Sequence, residues 1–338
     1  MVTSHATLYT AERLDDSLGI WRPGGVGVDI FFVISGFVMS ISTTKLVGES
    51  TGWRTFALRR IVRIVPLYWI ATTAKLATML VLPAAVLHAQ LDPVKAVASY
   101  LFIPTRNAEG DLSPLLAVGW TLNFEMAFYA LFTVALLLRV RPLWFCAAAL
   151  SLLATASLVR PEHGPPGMFY FDPVVLYFVV GMVIGQWTVN GSKPQLAAWL
   201  GATLALWFLI EVVGSGFAPH GLGLFAQRVG VSAGLLIVVL CEPFLSGRLP
   251  KPLLFLGDAS YSLYLFHPLV APIVPIALGI VGITNPVVSI VLCIVAAVCG
   301  AGVIYRFVEK PVTRSLQAWM PGLRPRRTGT AEAPVPRR

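Results

Sequence analysis

Nine apolar runs punctuate the chain near 26–44, 64–87, 115–138, 143–159, 170–189, 196–213, 229–245, 255–280 and 286–308, separated by polar or Pro- and Gly-rich breaks. Several approach the roughly 20 residues that carry a helix across a hydrocarbon core of about 30 Å. A chain that spends most of its length this way is an all-α polytopic transmembrane helix bundle. Composition agrees: 57% of the residues are hydrophobic and 12% charged, about half the charge of an average soluble chain.

Loop charge sets the expected orientation. Of the 25 Lys and Arg, 18 fall in one alternating set of loops (45–63, 139–142, 190–195, 246–254 and 306–338). By the positive-inside rule that set, with the C-terminus, is cytoplasmic and the 10–25 segment is external. Most of the net charge of +9 is thereby accounted for by orientation, and no nucleic-acid partner is expected. Cys146, Cys241, Cys293 and Cys299 sit inside apolar runs without zinc-site or disulfide spacing, so they read as packing residues and no metal site is expected.

An external 10–25 segment needs a membrane segment before it, yet only MVTSHATLY precedes it. Nine residues rise about 14 Å as a helix, less than half a core. The expectation is the outer half of a truncated first span, with the natural N-terminus upstream of Met1. The alternative is an external tail inserted by its following helix. Residues 1–320 read as one membrane domain and 321–338, rich in Pro and Arg, as a disordered cytoplasmic tail.

Ionisable groups inside spans are costly and mark candidate sites. Asp29 lies in GVGVDIFFVISGFVMS, where Gly36 and Ser40 share its face. It is either a site residue or a hydrogen-bonded helix anchor. In GWTLNFEMAFYALF, Thr121, Glu125, Tyr129 and Thr133 recur every four residues. That pattern suits a positioned base or a satisfied interhelical anchor. GDASYSLYLFHPLV aligns Ser260, Tyr264 and His267, the histidine being either structural or chemical. In RTFALRRIVRIVPLYWI, Arg60 and Arg63 stand at i and i+3 beside Arg59. The pair reads as positive-inside anchoring or as a bidentate phosphate site. His5, about 8 Å beneath the outer boundary if a first span exists, is a candidate general base, and otherwise an exposed tail histidine.

Taken in order, GVGVDIFFVISGFVMS, RRIVRIVPLYWI, GWTLNFEMAFYALF, GDASYSLYLFHPLV and YRFVEKPVTR resemble the acyltransferase-3 family, the OafA/YrhL-like integral membrane acyltransferases, from His5 to about Arg314. The resemblance implies a ten-helix core, here nine complete spans plus a half, that moves an acyl group, commonly acetyl, from cytosolic acyl-CoA to a carbohydrate hydroxyl. It matches His5 to the family's essential histidine and Arg60 and Arg63 to its RxxR pair, implicated in acyl-CoA binding. Asp29, Ser35, Glu125, Tyr261, His267 and Glu309 fall on recurrent family positions. The family's arginine about eleven residues before the histidine would lie upstream of Met1. With nothing folded expected after 320, the chain looks like the stand-alone form without an esterase-like domain.

The mechanism this implies is donor docking from the cytoplasm on Arg60 and Arg63, with His5 as general base or transient acyl carrier, its imidazole oriented by Glu125 or Asp29. Partners are then acyl-CoA, a carbohydrate or glycoconjugate acceptor and the bilayer of the cell membrane. A transporter with Asp29, Lys75 and Glu125 along a solute path is the rival. A non-catalytic scaffold is the third reading, and leaves the twin arginines unexplained.

Overall fold

The computed structural model describes residues 1–83, 86, 92–106, 112–161, 164–245 and 247–319. The tail expected over 321–338 lies outside the described residues. Within them the regular structure is helical, apart from one isolated antiparallel bridge between Arg106 and Leu112. Nine helical stretches among them are long and apolar enough to cross a membrane.

The helices in chain order are α1 (Val2–Ala11), α2 (Val26–Ser42), α3 (Gly52–Val81), α4 (Pro93–Tyr100), α5 (Trp120–Leu137), α6 (Pro142–Ala156), α7 (Leu176–Asn190) and α8 (Lys193–Trp207). They continue as α9 (Pro219–Leu245), α10 (Lys251–Asp258), α11 (Ser260–Val270), α12 (Ile273–Ile280), α13 (Pro286–Ile304) and α14 (Lys310–Trp319). Proline fixes many starts, because its missing N–H is one that a first turn leaves unpaired anyway: Pro93, Pro142, Pro219 and Pro286 are each first residues. Asn285 adds a cap by accepting from the Val287 and Val288 N–H groups at 3.0 and 3.1 Å. Gly191, at φ +69°, ends α7 in the left-handed region.

The count of nine matches the apolar runs, but four boundaries move. The second span starts at Gly52 rather than near 64, and the seventh at Pro219 rather than near 229. Hydropathy drops at RTFALRRIVR and at HGLGLFAQR, yet arginine is a good helix former and Arg228 is paired with Glu211 and Asp29, so the helix runs on through both. The run at 255–280 divides into α10, α11 and α12. The last span continues past 308 through a π-helical stretch, Tyr305–Glu309, into α14.

Spans that each cross the membrane once alternate in direction along the chain. One end of the bundle gathers the basic loops after α2, α5, α7 and α9, and is called the basic end below. The tightest pairing is α2 on α7. A Cβ on Gly36 would strike the Phe178 backbone, and one on Gly181 the Val33 carbonyl oxygen. The helices touch backbone to backbone, as small residues permit in membranes. Beside this seam Phe32, Phe128 and Phe178 form an aromatic core, with Phe128 and Phe178 stacked at 4.3 Å. α1 docks against α13 and α11: Ala6 is buried with Ala271, Cys293 and Ala297, and the Thr10 and Ser289 hydroxyls are bonded at 2.8 Å. Ile30, Ile34, Trp69, Leu152 and Val295 point outward, the pattern of a surface that faces lipid.

Candidate active site

Two helices position the histidines. α1 presents His5 half-buried, and α11 presents His267, 1% exposed, across from it. Their rings lie 4.9 Å apart, with His5 Nδ1 3.3 Å from His267 Nε2 and 3.2 Å from the Tyr9 hydroxyl one turn along α1. His267 Nδ1 lies 2.9 Å from the Leu263 carbonyl oxygen within its own helix. The Trp21 N–H donates to Thr7 Oγ1 at 3.1 Å and ties the following loop over α1.

One turn nearer the basic end on α11, the Tyr264 hydroxyl is bonded to Thr121 and donates to the Val118 carbonyl, joining α11 to the start of α5. Phe31 stacks on the Tyr264 ring with 4° between planes.

At the basic end the two arginines diverge from α3. The Arg60 guanidinium lies over Phe56 and Tyr129, 5.6 and 5.8 Å from the ring centroids, and its Nε is buried without a partner. Arg63 pairs with Glu309 at 2.6 Å and covers the Tyr261 ring. The other Glu309 oxygen accepts from Ser262 Oγ at 2.6 Å, so the π-helical stretch is pinned between α3 and α11. Tyr261 donates to the Ile64 carbonyl at 2.7 Å. Glu125 is 2% exposed; one oxygen accepts from Ser35 at 2.9 Å and from Tyr129, and the other is buried without a partner. Three of the residues expected to matter here, Ser35, Arg60 and Glu125, are thus linked through Glu125 and Tyr129.

Asp29 belongs elsewhere. It accepts from Tyr177 at 3.1 Å and from Gln227, and Arg228 lies 3.8 Å away while donating to Glu211 at 3.0 Å. Arg228 also covers the Tyr177 and Trp207 rings. The expected placement of Asp29 or Glu125 behind the His5 imidazole is therefore corrected: both carboxylates have other partners, and His267 is bonded to His5 instead. Nor do Asp29 and Glu125 line one path, as a transporter would need; they sit in separate bonded clusters, and Lys75 is half-buried in α3. Sequence reading missed Arg228, Glu211, Gln227, Tyr177 and Ser262. Only Glu211, an acid inside an apolar run, carried a visible signal.

A cavity of about 790 Å³ opens at the basic end, lined by Arg141, Gln186, Asn190, Trp144 and Trp199 among others. Phe132 forms part of its wall and stacks on Phe56 at 4.8 Å, so one ring pair stands between this cavity and Arg60.

The family model described as an acyltransferase domain matches residues 1–306. The chain belongs to this acyltransferase-3 family. It is a multi-pass membrane acyltransferase, and the match takes in every residue of the histidine pair and of the arginine cluster except Glu309. Among similar proteins is an exopolysaccharide production protein, ExoZ, of Rhizobium meliloti (strain 1021), 34% identical over 298 residues that cover 86% of this chain and 90% of that one. A putative peptidoglycan O-acetyltransferase, YrhL, of Bacillus subtilis (strain 168) is 28% identical over 86% of the acyltransferase chain, which spans 51% of that longer protein. The acyltransferase MdmB of Streptomyces mycarofaciens is 28% identical over 74% of this chain and 69% of its own. No solved structure matches.

Proposed function

We propose that this acyltransferase takes an acyl group, acetyl in the first instance, from acyl-CoA at the basic end and esterifies a hydroxyl of a carbohydrate or glycoconjugate at the His5 end. The observation that carries this reading is the course of α11. Its Tyr261, Tyr264 and His267 recur every three residues and bond in turn to α3, to the start of α5 and to α1. One helix thus connects the arginines to the histidine, and six residues put its two ends about 9 Å apart along the axis, a span that the pantetheine arm of coenzyme A covers.

At the basic end Arg60 and Arg63 bind the phosphates of the donor. Arg60 contributes a guanidinium held in place over the Phe56 and Tyr129 rings, and Arg63, 43% exposed in its side chain, has guanidinium donors beyond the one given to Glu309. The Glu125 cluster holds the ring of Tyr129 under Arg60. At the far end His5 takes the acceptor's hydroxyl proton as that oxygen attacks the thioester carbonyl. The C–O bond forms, the C–S bond breaks, and the proton passes to the leaving thiolate, giving ester and free coenzyme A. The names of the exopolysaccharide and peptidoglycan relatives support a glycan acceptor. The basic end faces the cytoplasm of a cell membrane on the charge bias of its loops.

The test is transfer of radiolabelled acetyl from acetyl-CoA to envelope polysaccharide by membranes containing the protein. His5→Ala is expected to lose at least about 100-fold in kcat. Arg60→Ala/Arg63→Ala is expected to raise KM for acetyl-CoA with a smaller change in kcat. Undiminished transfer by His5→Ala would overturn the reading.

A further inference from the structure

The hydrogen bonds around His267 settle which nitrogen of His5 can act. A carbonyl oxygen only accepts, so the 2.9 Å contact between His267 Nδ1 and the Leu263 carbonyl places the His267 proton on Nδ1. Its Nε2 then carries a lone pair, and that lone pair faces His5 Nδ1 at 3.3 Å. Two lone pairs cannot face each other across a hydrogen bond. Neither ring has a carboxylate among its bonded partners, and His267 is 1% exposed, so a neutral pair is the arrangement this site accommodates. His5 Nδ1 therefore bears the proton. It forks between His267 Nε2 and the Tyr9 hydroxyl at 3.2 Å, a three-centre bond whose branches are each longer than the usual N–H donor distance.

We infer that His267 is the positioning residue of this acyltransferase: it accepts the Nδ1–H of His5 and so holds His5 Nε2 unprotonated toward the reacting hydroxyl. This rests on the reading of His5 as general base. In a Ser-His-Asp triad a carboxylate does this work. Here a neutral imidazole does it, itself fixed by a backbone carbonyl of its own helix. When His5 Nε2 accepts the hydroxyl proton, the imidazolium that forms still donates from Nδ1 to His267. The chain Leu263 carbonyl, His267, His5 polarises in one direction and supports the charge. The same geometry explains why a buried histidine with no carboxylate partner stands opposite a half-buried one: the inner ring is a fixed acceptor and the outer ring is the reacting group.

The experiment compares His267→Gln, His267→Asn and His267→Leu with the unaltered protein and with His5→Ala in the acetyl-CoA transfer assay, each checked by elution as a single species in detergent. Glutamine can set its amide oxygen where Nε2 stood, whereas asparagine reaches only the Nδ1 position and leucine neither. His267→Leu and His267→Asn are expected to lose about 100-fold or more in kcat, with KM for acetyl-CoA within about twofold. His267→Gln is expected to stay within about tenfold of the parent. If His267→Leu does not fold, the glutamine and asparagine variants decide the matter alone. A second readout needs no activity: solid-state ¹⁵N spectra of ring-labelled histidine in bilayers, His5 assigned by its loss in His5→Ala, should show His5 protonated at Nδ1 and bare at Nε2. It should lose that signature in His267→Leu or His267→Asn. Full activity in His5→Ala sinks the general-base reading. Loss in His5→Ala with His267→Leu or His267→Asn retaining activity, or an Nε2-protonated His5 in the unaltered protein, sinks the positioning role alone.

Discussion

Arg228 holds two acids in place at once. It lies 3.8 Å from Asp29 and 3.0 Å from Glu211, with Tyr177 and Trp207 beneath it, and all three charged side chains are at most 10% exposed. Removing one partner of a buried ion pair strands the others in a medium that cannot solvate them. Arg228→Met is therefore expected to cost about 3–5 kcal/mol, read as a lower Tm in detergent. An unchanged Tm would mean that the two carboxylates already carry protons and need no cation. This cluster also shows why residue identity was harder to read than residue position. Asp29 and Glu125 were visible because a carboxylate in an apolar run is costly wherever it sits. Which groups repay that cost lay far away in the chain: Tyr177, Gln227 and Arg228 for Asp29, and Ser35 for Glu125.

At the scale of elements, glycines decide how close helices come. α2 and α7 meet where Gly36 and Gly181 leave no room for a Cβ, whereas Gly201 in α8 has nothing within 4 Å of one. Gly181→Ala is expected to cost more than about 2 kcal/mol by forcing the pair apart. Gly201→Ala is expected to be neutral or to stabilise by up to about 1 kcal/mol, since it removes only the entropy a helical glycine carries. Thermal unfolding of both variants checks the contrast, and equal Tm values would contradict the close seam. The π-helical stretches work differently. Phe208–Val213 delivers Glu211 to Arg228, and Tyr305–Glu309 delivers Glu309 to Arg63. In each case a wider turn places a carboxylate against an arginine from another helix, as π-bulges often do at functional sites. Hydropathy foresaw the number of spans but neither wide turn, because a one-residue change of helical phase alters no residue's polarity.

For the whole molecule, the decisive joint is between its beginning and its end. α1 is seated on α13 by the Thr10 to Ser289 bond and the Ala6 contacts, and this seating brings His5 to His267 across 262 positions of sequence. A Thr10→Cys/Ser289→Cys protein, with Cys241, Cys293 and Cys299 replaced, is expected to form a disulfide on mild oxidation, since hydroxyls 2.8 Å apart put the Cβ atoms near bridging range. Failure to cross-link, seen as no gel shift after proteolysis between the two positions, would show that α1 does not dock there. The sequence alone was enough for the number of membrane segments and the family. It also marked the twin arginines and both histidines, because apolar length, charge and local spacing are properties of neighbours in the chain. What only the tertiary structure decided is the division of labour: Asp29 to an ion-paired cluster, Glu125 to the arginine end, and His267 to His5. Hydrogen bonds join atoms according to where helices cross, and no pattern within a single helix records the face of another.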